Sequence, residues 1–293
     1  NDKSAVYTLY HYDGFTLNHT DNVTLLDGIR YDETYLDGVD IDSEHFFEKV
    51  EQYEVLPKTA AGTLNQYMDK FEELTKDGSD VIFCGIGGRL SSAYQNILVA
   101  LQNVDESVAS HIYPVDSMNL STGIGLTLLK MCDMRDAGMS AKEIQEKANE
   151  ITPRVRAQFC VKDLTMLHKG GRCTGTAKFF GTMLRVRPIL RVFDGELLLD
   201  DKIFGKYEKA LDYQIDDILN ALDDVDDEYL FITHALADEE ADYIYANLPQ
   251  KVKDKFKHIY ITKAGCVIAS HCGRHTIGIL YIKKSHVVRE NRD

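Results

Sequence analysis

The sequence predicts an α/β protein of two domains, with a parallel sheet in residues 1–154 and a mixed sheet in residues 155–293. Three observations predict it. Apolar strand-like runs alternate with amphipathic helical stretches through the first half, as a βαβα chain requires. The second half is denser in short β-rich runs, interrupted by two polar helices. At 293 residues the chain is long enough to bury two cores of ordinary size.

Taken in order, "VDIDSEHFFEKVEQY" offers Ser43 as an N-cap, with Phe46, Phe47 and Val50 at the i, i+3, i+4 spacing of a short helix that ends before Pro57. "TLNQYMDKFEELTKDG" repeats that pattern with Leu64, Tyr67, Met68 and Phe71, and Gly78 is placed to cap its end. The strand "DVIFCGI" follows, then the glycine turn "GIGG", the helix "SSAYQNILVALQNV", the strand "ASHIYPVDS" and the helix "GIGLTLLKMCDMRDAG". "SAKEIQEKANEIT" is another capped helix, closed by Pro153, where the boundary is set. Beyond it lie the β-rich pieces "AQFCV", "RVRPILRVFDGELLL", "YLFITHAL", "KHIYITKA" and "TIGILYIKK". The helices between them are "FGKYEKALDYQIDDILNAL" and "ADEEADYIYANL". Asp194–Gly195 between apolar flanks signals a two-residue hairpin.

Composition narrows the class. With 44% hydrophobic and 27% charged residues and five prolines, the chain is globular rather than disordered or fibrous. No apolar run approaches the roughly 20 residues that span a bilayer, and no charged-then-apolar leader opens it, so a cytoplasmic location is expected. The balance of 33 basic against 47 acidic residues, net −14, disfavours a nucleic-acid partner. The acidic run Asp223 to Glu228 reads as a solvated face rather than a metal site, and no metal is expected. Six cysteines without a C-x-x-C pair read as reduced, buried small hydrophobes. The sequons at Asn18 and Asn22 carry no meaning in a cytosolic protein.

In a parallel sheet the ligand crevice lies beyond the carboxyl ends of the strands, where "GIGGRLSS" and "DSMNLSTG" fall. No glycine turn is followed by Lys and Ser or Thr, which excludes a P-loop. Gly85-Ile86-Gly87-Gly88 lacks the third glycine of a dinucleotide fingerprint, and Ser91 lacks the flanking glycines of a nucleophile elbow. What is left is a ring of hydroxyls: Thr59 and Thr63, Ser91 and Ser92, and Ser117, Ser121 and Thr122. Each alone reads as an N-cap. Converging at a helix N-terminus, they suit a carboxylate or phosphate. Basic groups are offered by "HKGGRCTG", where paired glycines would let the backbone approach a ligand beside Arg172. "IASHCGRHTIG" offers His271, Arg274 and His275 between strand-like runs.

The segments "PKTAAGT", "GGRLSSAYQNILVA", "PVDSMNLSTGIGLTLL", "LTMLHKGGRCTG", "RPILRVFDGEL" and "GCVIASHCGRHTIGILY" together resemble the DegV family of bacterial fatty-acid-binding proteins, in order and spacing, from about Asn22 to Tyr281. The resemblance implies an N-terminal three-layer α/β/α domain with a parallel sheet and a C-terminal two-layer α/β domain with a mixed sheet. It also implies one long-chain fatty acid in a tunnel, its carboxyl near the interface. By motif, Thr59, Ser91 and His271 match the family's head-group residues, with the Ser92 amide as a further donor. Arg172 and Arg274 are candidates for head-group or partner contact. No catalytic residue and no cofactor beyond the bound fatty acid are implied. A separate ATP-dependent kinase subunit is the implied partner, and transient membrane contact is open to such a carrier.

The physics agrees with that assignment, because burying about a dozen methylenes is favourable by roughly 10 kcal/mol gross. A carboxylate drawn in with them needs the hydrogen bonds that hydroxyls, an imidazole and helix amides supply.

The chain departs from the family pattern at Ala60-Ala61-Gly62, at Gly87-Gly88 where serines are usual, at Cys272-Gly273-Arg274-His275, and at Phe204 where an arginine is common. The usual amino-terminal strand is at best a remnant in "NDKSA". The alternative readings are a hydrolase or phosphotransferase using Ser91 and His271, and a carrier of another anionic lipid.

Overall fold

The computed structural model describes residues 4–5, 22–25, 33–36, 41–53, 58–162, 164–171, 173–174 and 186–289. Its first elements are β1 (Ser4–Ala5), β2 (Asn22–Leu25), β3 (Glu33–Leu36), α1 (Ser43–Tyr53), β4 (Lys58–Ala60) and α2 (Leu64–Thr75). Next come β5 (Asp80–Gly85), α3 (Ala93–Leu101), α4 (Glu106–Ala109), β6 (Ile112–Asp116), α5 (Thr122–Asp136) and α6 (Ala141–Ile151). β1, β5 and β6 form the expected parallel sheet, with β5 in the middle. Within "NDKSA", Ser4 and Ala5 pair with Asp80 and Val81.

Period-two alternation explains the layers. Val81 and Ile112 face one side, where Tyr67 and Phe71 of α2 and Ile97 of α3 cover them. Ile82, Cys84 and Val115 face the other, against Ile124, Leu128 and Met131 of α5 and Ile144 of α6. Each helix has its own start signal. Thr63 and Ser140 accept the amides of Gln66 and Glu143 while those side chains reach back, two reciprocal caps. Gly78, at φ +80°, ends the turn after α2 as expected. The cap of α1 falls one residue earlier than the Ser43 reading: Asp42 Oδ1 accepts the amides of Glu44 and His45 at 3.0 and 2.9 Å. A carboxylate there also faces the positive end of the helix, which Ser43 would not.

The remaining elements are β7 (Val155–Cys160), α7 (Thr165–Gly170), β8 (Cys173–Thr174), β9 (Val186–Phe193), β10 (Glu196–Phe204) and α8 (Glu208–Asn220). They are followed by β11 (Val225–Ala235), α9 (Asp238–Asn247), α10 (Gln250–Lys253), β12 (His258–Lys263), α11 (Cys266–Cys272) and β13 (Thr276–Lys283). The strands make one mixed sheet in the order β12-β11-β13-β7-β9-β10-β8, with parallel pairing at β11–β12 and β10–β8 and antiparallel pairing elsewhere. Leu230, Ile232, Ile277 and Ile279 face α8 and α9. Phe231, Leu280 and Ile282 face the other way, toward Leu126 of α5 and Leu167 of α7. Helix α5 thus packs on both sheets, so the apolar run "GIGLTLLKM" is buried almost all round. Asp194 and Gly195 both have positive φ, the two-residue turn that the hairpin signal predicts.

Two features are not legible in the sequence. β2, β3 and β4 form a separate three-stranded antiparallel sheet that carries Thr59. "CVIASHC", strand-like by its composition, is the helix α11. Among the described residues no helix is long and apolar enough to cross a membrane.

Candidate functional site

Three separate elements bring the predicted hydroxyls and imidazole to one place. β4 supplies Thr59. The loop between β5 and α3 supplies Ser91 and Ser92, and the last turn of α11 supplies His271. All four residues line a cavity of about 350 Å³, a volume within the range of small-molecule sites. Thr59 Oγ1 and His271 Nε2 are 2.9 Å apart and hydrogen-bonded across 212 residues of sequence. Ser91 Oγ accepts the Ala93 amide at 3.2 Å, which leaves its own O–H free to donate. Ser92 is the N-cap of α3 and makes no side-chain cap bond, so the positive end of that helix opens on the same corner.

The rest of the wall is hydrocarbon. Ile86 and Leu90 come from the loop before α3, Leu120 from the loop before α5, and Leu167 and Leu197 from α7 and β10. Val267, Ile268 and Cys272 come from α11, the helix that also carries His271. Burial pushes the Cys272 thiol up to about 12, so it is a neutral apolar surface rather than a nucleophile. The cavity is thus an apolar trough with one polar corner made of hydroxyls, one imidazole and a helix N-terminus.

The other predicted groups go elsewhere. Thr63 is spent as the cap of α2. Ser117 Oγ donates to the Asn119 carbonyl at 3.2 Å and accepts its amide at 3.1 Å, holding the loop after β6. Thr122 bonds Thr233, and Ser121 lines a second, smaller cavity. Arg274 does not line the large cavity: its guanidinium pairs with Glu51 at 3.1 Å and lies over the Phe47 ring at 4.9 Å, so it braces α1 against the end of α11. His275 pairs with Glu240 at 3.1 Å. Arg172 lies outside the described residues. Gly171 beside it has φ +66° and is the left-handed C-cap of α7.

The glycines of the loop before α3 have a specific use that the sequence does not reveal. A Cβ on Gly87 would sit 2.9 Å from Asn119 N and 3.0 Å from Met118 C, because the loop after β6 closes directly on it. Gly87 N–H donates to the Asn119 carbonyl at 2.8 Å, and Gly88 N–H to Asp116 Oδ1 at 3.1 Å. Arg89 then reaches the β9–β10 hairpin, donating to the Asp194 carbonyl at 2.9 Å. At Gly87 backbone meets backbone, next to Leu120 in the wall, whereas Gly88 faces the Asp116 and Tyr94 side chains.

Fold and site together define a protein of mixed α/β architecture whose cavity joins an apolar wall to one corner of hydroxyls, an imidazole and a helix N-terminus. The DegV family model, described as an uncharacterised protein family, matches residues 22–284, and the chain belongs to that family. A DegV domain-containing protein of Caldanaerobacter subterraneus is 31% identical over 252 residues, covering 86% of this chain and 88% of the relative. The crystal structure of DegV, a fatty acid binding protein from Bacillus subtilis, matches with TM-score 0.76 at 26% identity, covering 90% of each chain. The fatty acid kinase B3 protein of Streptococcus pneumoniae, loaded with linoleic acid, matches with TM-score 0.77 at 17% identity over 90% of each chain, a likeness of fold.

Proposed function

We propose that this chain binds one long-chain fatty acid, with the carboxylate at the Thr59, Ser91, Ser92 and His271 corner and the alkyl chain along the apolar wall. The observation that carries the reading is that a single cavity joins those four polar residues to a hydrocarbon trough. Similarity to the Bacillus subtilis fatty acid binding protein supports it. In this reading residues 1–154 and 155–293 are two domains with the ligand between them.

The hydrogen-bond geometry favours binding over hydrolysis. A serine nucleophile needs an imidazole nitrogen on its Oγ, but His271 Nε2 is bonded to Thr59, and Ser91 Oγ is held by the Ala93 amide. With a proton on Nε2, His271 donates to Thr59 Oγ1, and the Thr59 O–H is then directed to a carboxylate oxygen. The imidazole acts through the hydroxyl. Ser91 and the α3 N-terminus supply the remaining donors, and together they offset the cost of drawing a carboxylate out of water.

The fatty acid kinase B3 protein has the same fold, and on that likeness a separate kinase subunit is the proposed partner, receiving the acyl chain at its carboxyl end. Denaturing the purified protein and analysing the organic extract by mass spectrometry tests the binding. One acyl chain per protein is expected. An extract without acyl chains, together with no uptake of added oleate, sinks the reading. Recovery of a different anionic lipid would assign the trough to that ligand instead.

A further inference from the structure

The bond between His271 and Thr59 joins a short helix to an edge strand. His271 stands in the last turn of α11, and Thr59 on β4, the edge of the small antiparallel sheet. With seven residues α11 is about 10 Å long, too short to hold its own shape in water, so its place is fixed from outside.

Two ties run to the same helix, α1. At the start of α11 the Cys266 thiol donates to the carbonyl of Ile41, just before α1, at 3.4 Å. Past its end, Arg274 pairs with Glu51 of α1 at 3.1 Å and lies over the Phe47 ring at 4.9 Å. Phe47 is only 3% exposed, so the ring is a fixed platform for the guanidinium. The next residue is tied the other way. His275 has a left-handed φ of +58°, pairs with Glu240 of α9 at 3.1 Å, donates its amide to the Ala235 carbonyl at 2.8 Å and accepts the Tyr207 hydroxyl at its carbonyl. A residue with a β-carbon keeps that strained conformation only where its surroundings impose it. The turn after His271 is thus clamped between α1 on one side and β11 and α9 on the other.

We infer that Arg274 is a positioning residue for the polar corner. It does not line the cavity; it holds the end of α11 against α1 where His271 Nε2 meets Thr59 Oγ1. The strand that follows α1 in the chain is β4, so the brace sets His271 against the segment that presents Thr59. The inference rests on the fatty-acid reading for its affinity readout, whereas the bond it controls is present without a ligand.

The test uses delipidated full-length protein labelled with nitrogen-15 in histidine. It reads the His271 Nε2–H resonance, assigned by its loss in His271→Ala, and stearate affinity by displacement of a fluorescent fatty acid. Wild type should show an Nε2–H protected from exchange, and Thr59→Val should remove that protection. Arg274→Ala should remove it too and weaken stearate binding about two- to fivefold, the ceiling being the loss of one supporting neutral bond. In a His271→Ala background Arg274→Ala should cause no further loss, because an effect passed through His271 vanishes with it. Arg274→Lys, which keeps a charge toward Glu51, should recover part of both readouts. If Arg274→Ala does not fold, Glu51→Gln, at a side chain 67% exposed, carries the test with the same expected directions. A protected His271 signal in folded Arg274→Ala, or a further loss of affinity in the His271→Ala background, overturns the positioning role. Absence of a protected signal from wild type overturns it together with the bond to Thr59. The expected resonances without stearate binding by wild type sink the fatty-acid reading and leave the brace standing.

Discussion

The relay from His271 through Thr59 makes a quantitative prediction. A hydrogen bond to a charged group contributes about 1.5–3 kcal/mol, so Thr59→Val, which keeps the shape and removes the hydroxyl, should weaken stearate binding about 10- to 150-fold. In the proposed reading His271 acts on the carboxylate through Thr59 Oγ1, 2.9 Å from its Nε2, so its own deletion removes a supporting neutral bond. That is about 1 kcal/mol, or about fivefold for His271→Ala. Once Thr59 is valine, the imidazole has no hydroxyl to orient. The double variant should then bind within about twofold of Thr59→Val, where independent contacts would multiply to about 50- to 800-fold. The assay is displacement of a fluorescent fatty acid from delipidated protein at fixed pH and salt, with thermal unfolding to show that each variant is folded. Full multiplication of the two effects, or wild-type affinity in His271→Ala, refutes the relay.

Three further perturbations test the frame around the site. Asp217 on α8 bonds Arg156 Nε at 2.8 Å and Arg191 at 3.2 Å, and Arg191 is fully buried, so Asp217→Ala should cost about 3–5 kcal/mol in denaturant unfolding; a loss below about 1 kcal/mol would mean the cluster reorganises. Gly87→Ala places a Cβ 2.9 Å from Asn119 N and should destabilise by about 1–3 kcal/mol and weaken ligand binding through Leu120; unchanged stability would show that the loop yields freely. Burial lowers the pKa of His234, so the unfolded chain takes up a proton below pH 6.5 that the native ring resists, and stability falls as pH drops through that value. His234→Asn keeps an acceptor for the Ala237 amide, so the stability gap to wild type, read as urea midpoints at about pH 7.5 and about pH 5.5, should narrow on acidification; a constant gap contradicts the assignment.

Where the sequence is legible, a local signal agrees with the tertiary environment. The alternation of "DVIFCGI" and "ASHIYPVDS" with helices points to the parallel sheet, and Asp194–Gly195 to the hairpin, because period and turn chemistry need only neighbouring residues. Helix α11 is illegible because Cys266, Val267, Ala269, Ser270 and Cys272 are all buried. A helix covered on nearly every side has no amphipathic stripe, and a short apolar run with β-branched residues then looks like a strand. The reach of Asp42 to the amides of α1 is hidden for a different reason: Asp and Ser stand side by side, and both are good caps. At the site, Thr59, Ser91, Ser92 and His271 can be put together only by resemblance to a family. The contact that joins Thr59 to His271 spans 212 residues and leaves no local trace.

The glycines of "GIGGRLSS" tie the two ends of the cavity to one loop. Met118 and Asn119 approach Gly87 closely, and the Gly87 amide bond to the Asn119 carbonyl fixes the loop. One residue on, Leu120 enters the wall that both cavities share. On the other side of the loop, Arg89 ties the same turn to Asp194 of the hairpin, and the next strand, β10, contributes Leu197 to the trough. The loop thus joins Ser91 of the polar corner to Leu120 of the apolar wall through the Gly87 amide bond, and to the hairpin through Arg89. A change at Gly87 should perturb head-group affinity and chain-length preference together, whereas Thr59→Val should change affinity and leave the chain-length profile as it was. Measuring both quantities on both variants separates a loop that organises the whole channel from one that merely supports Ser91.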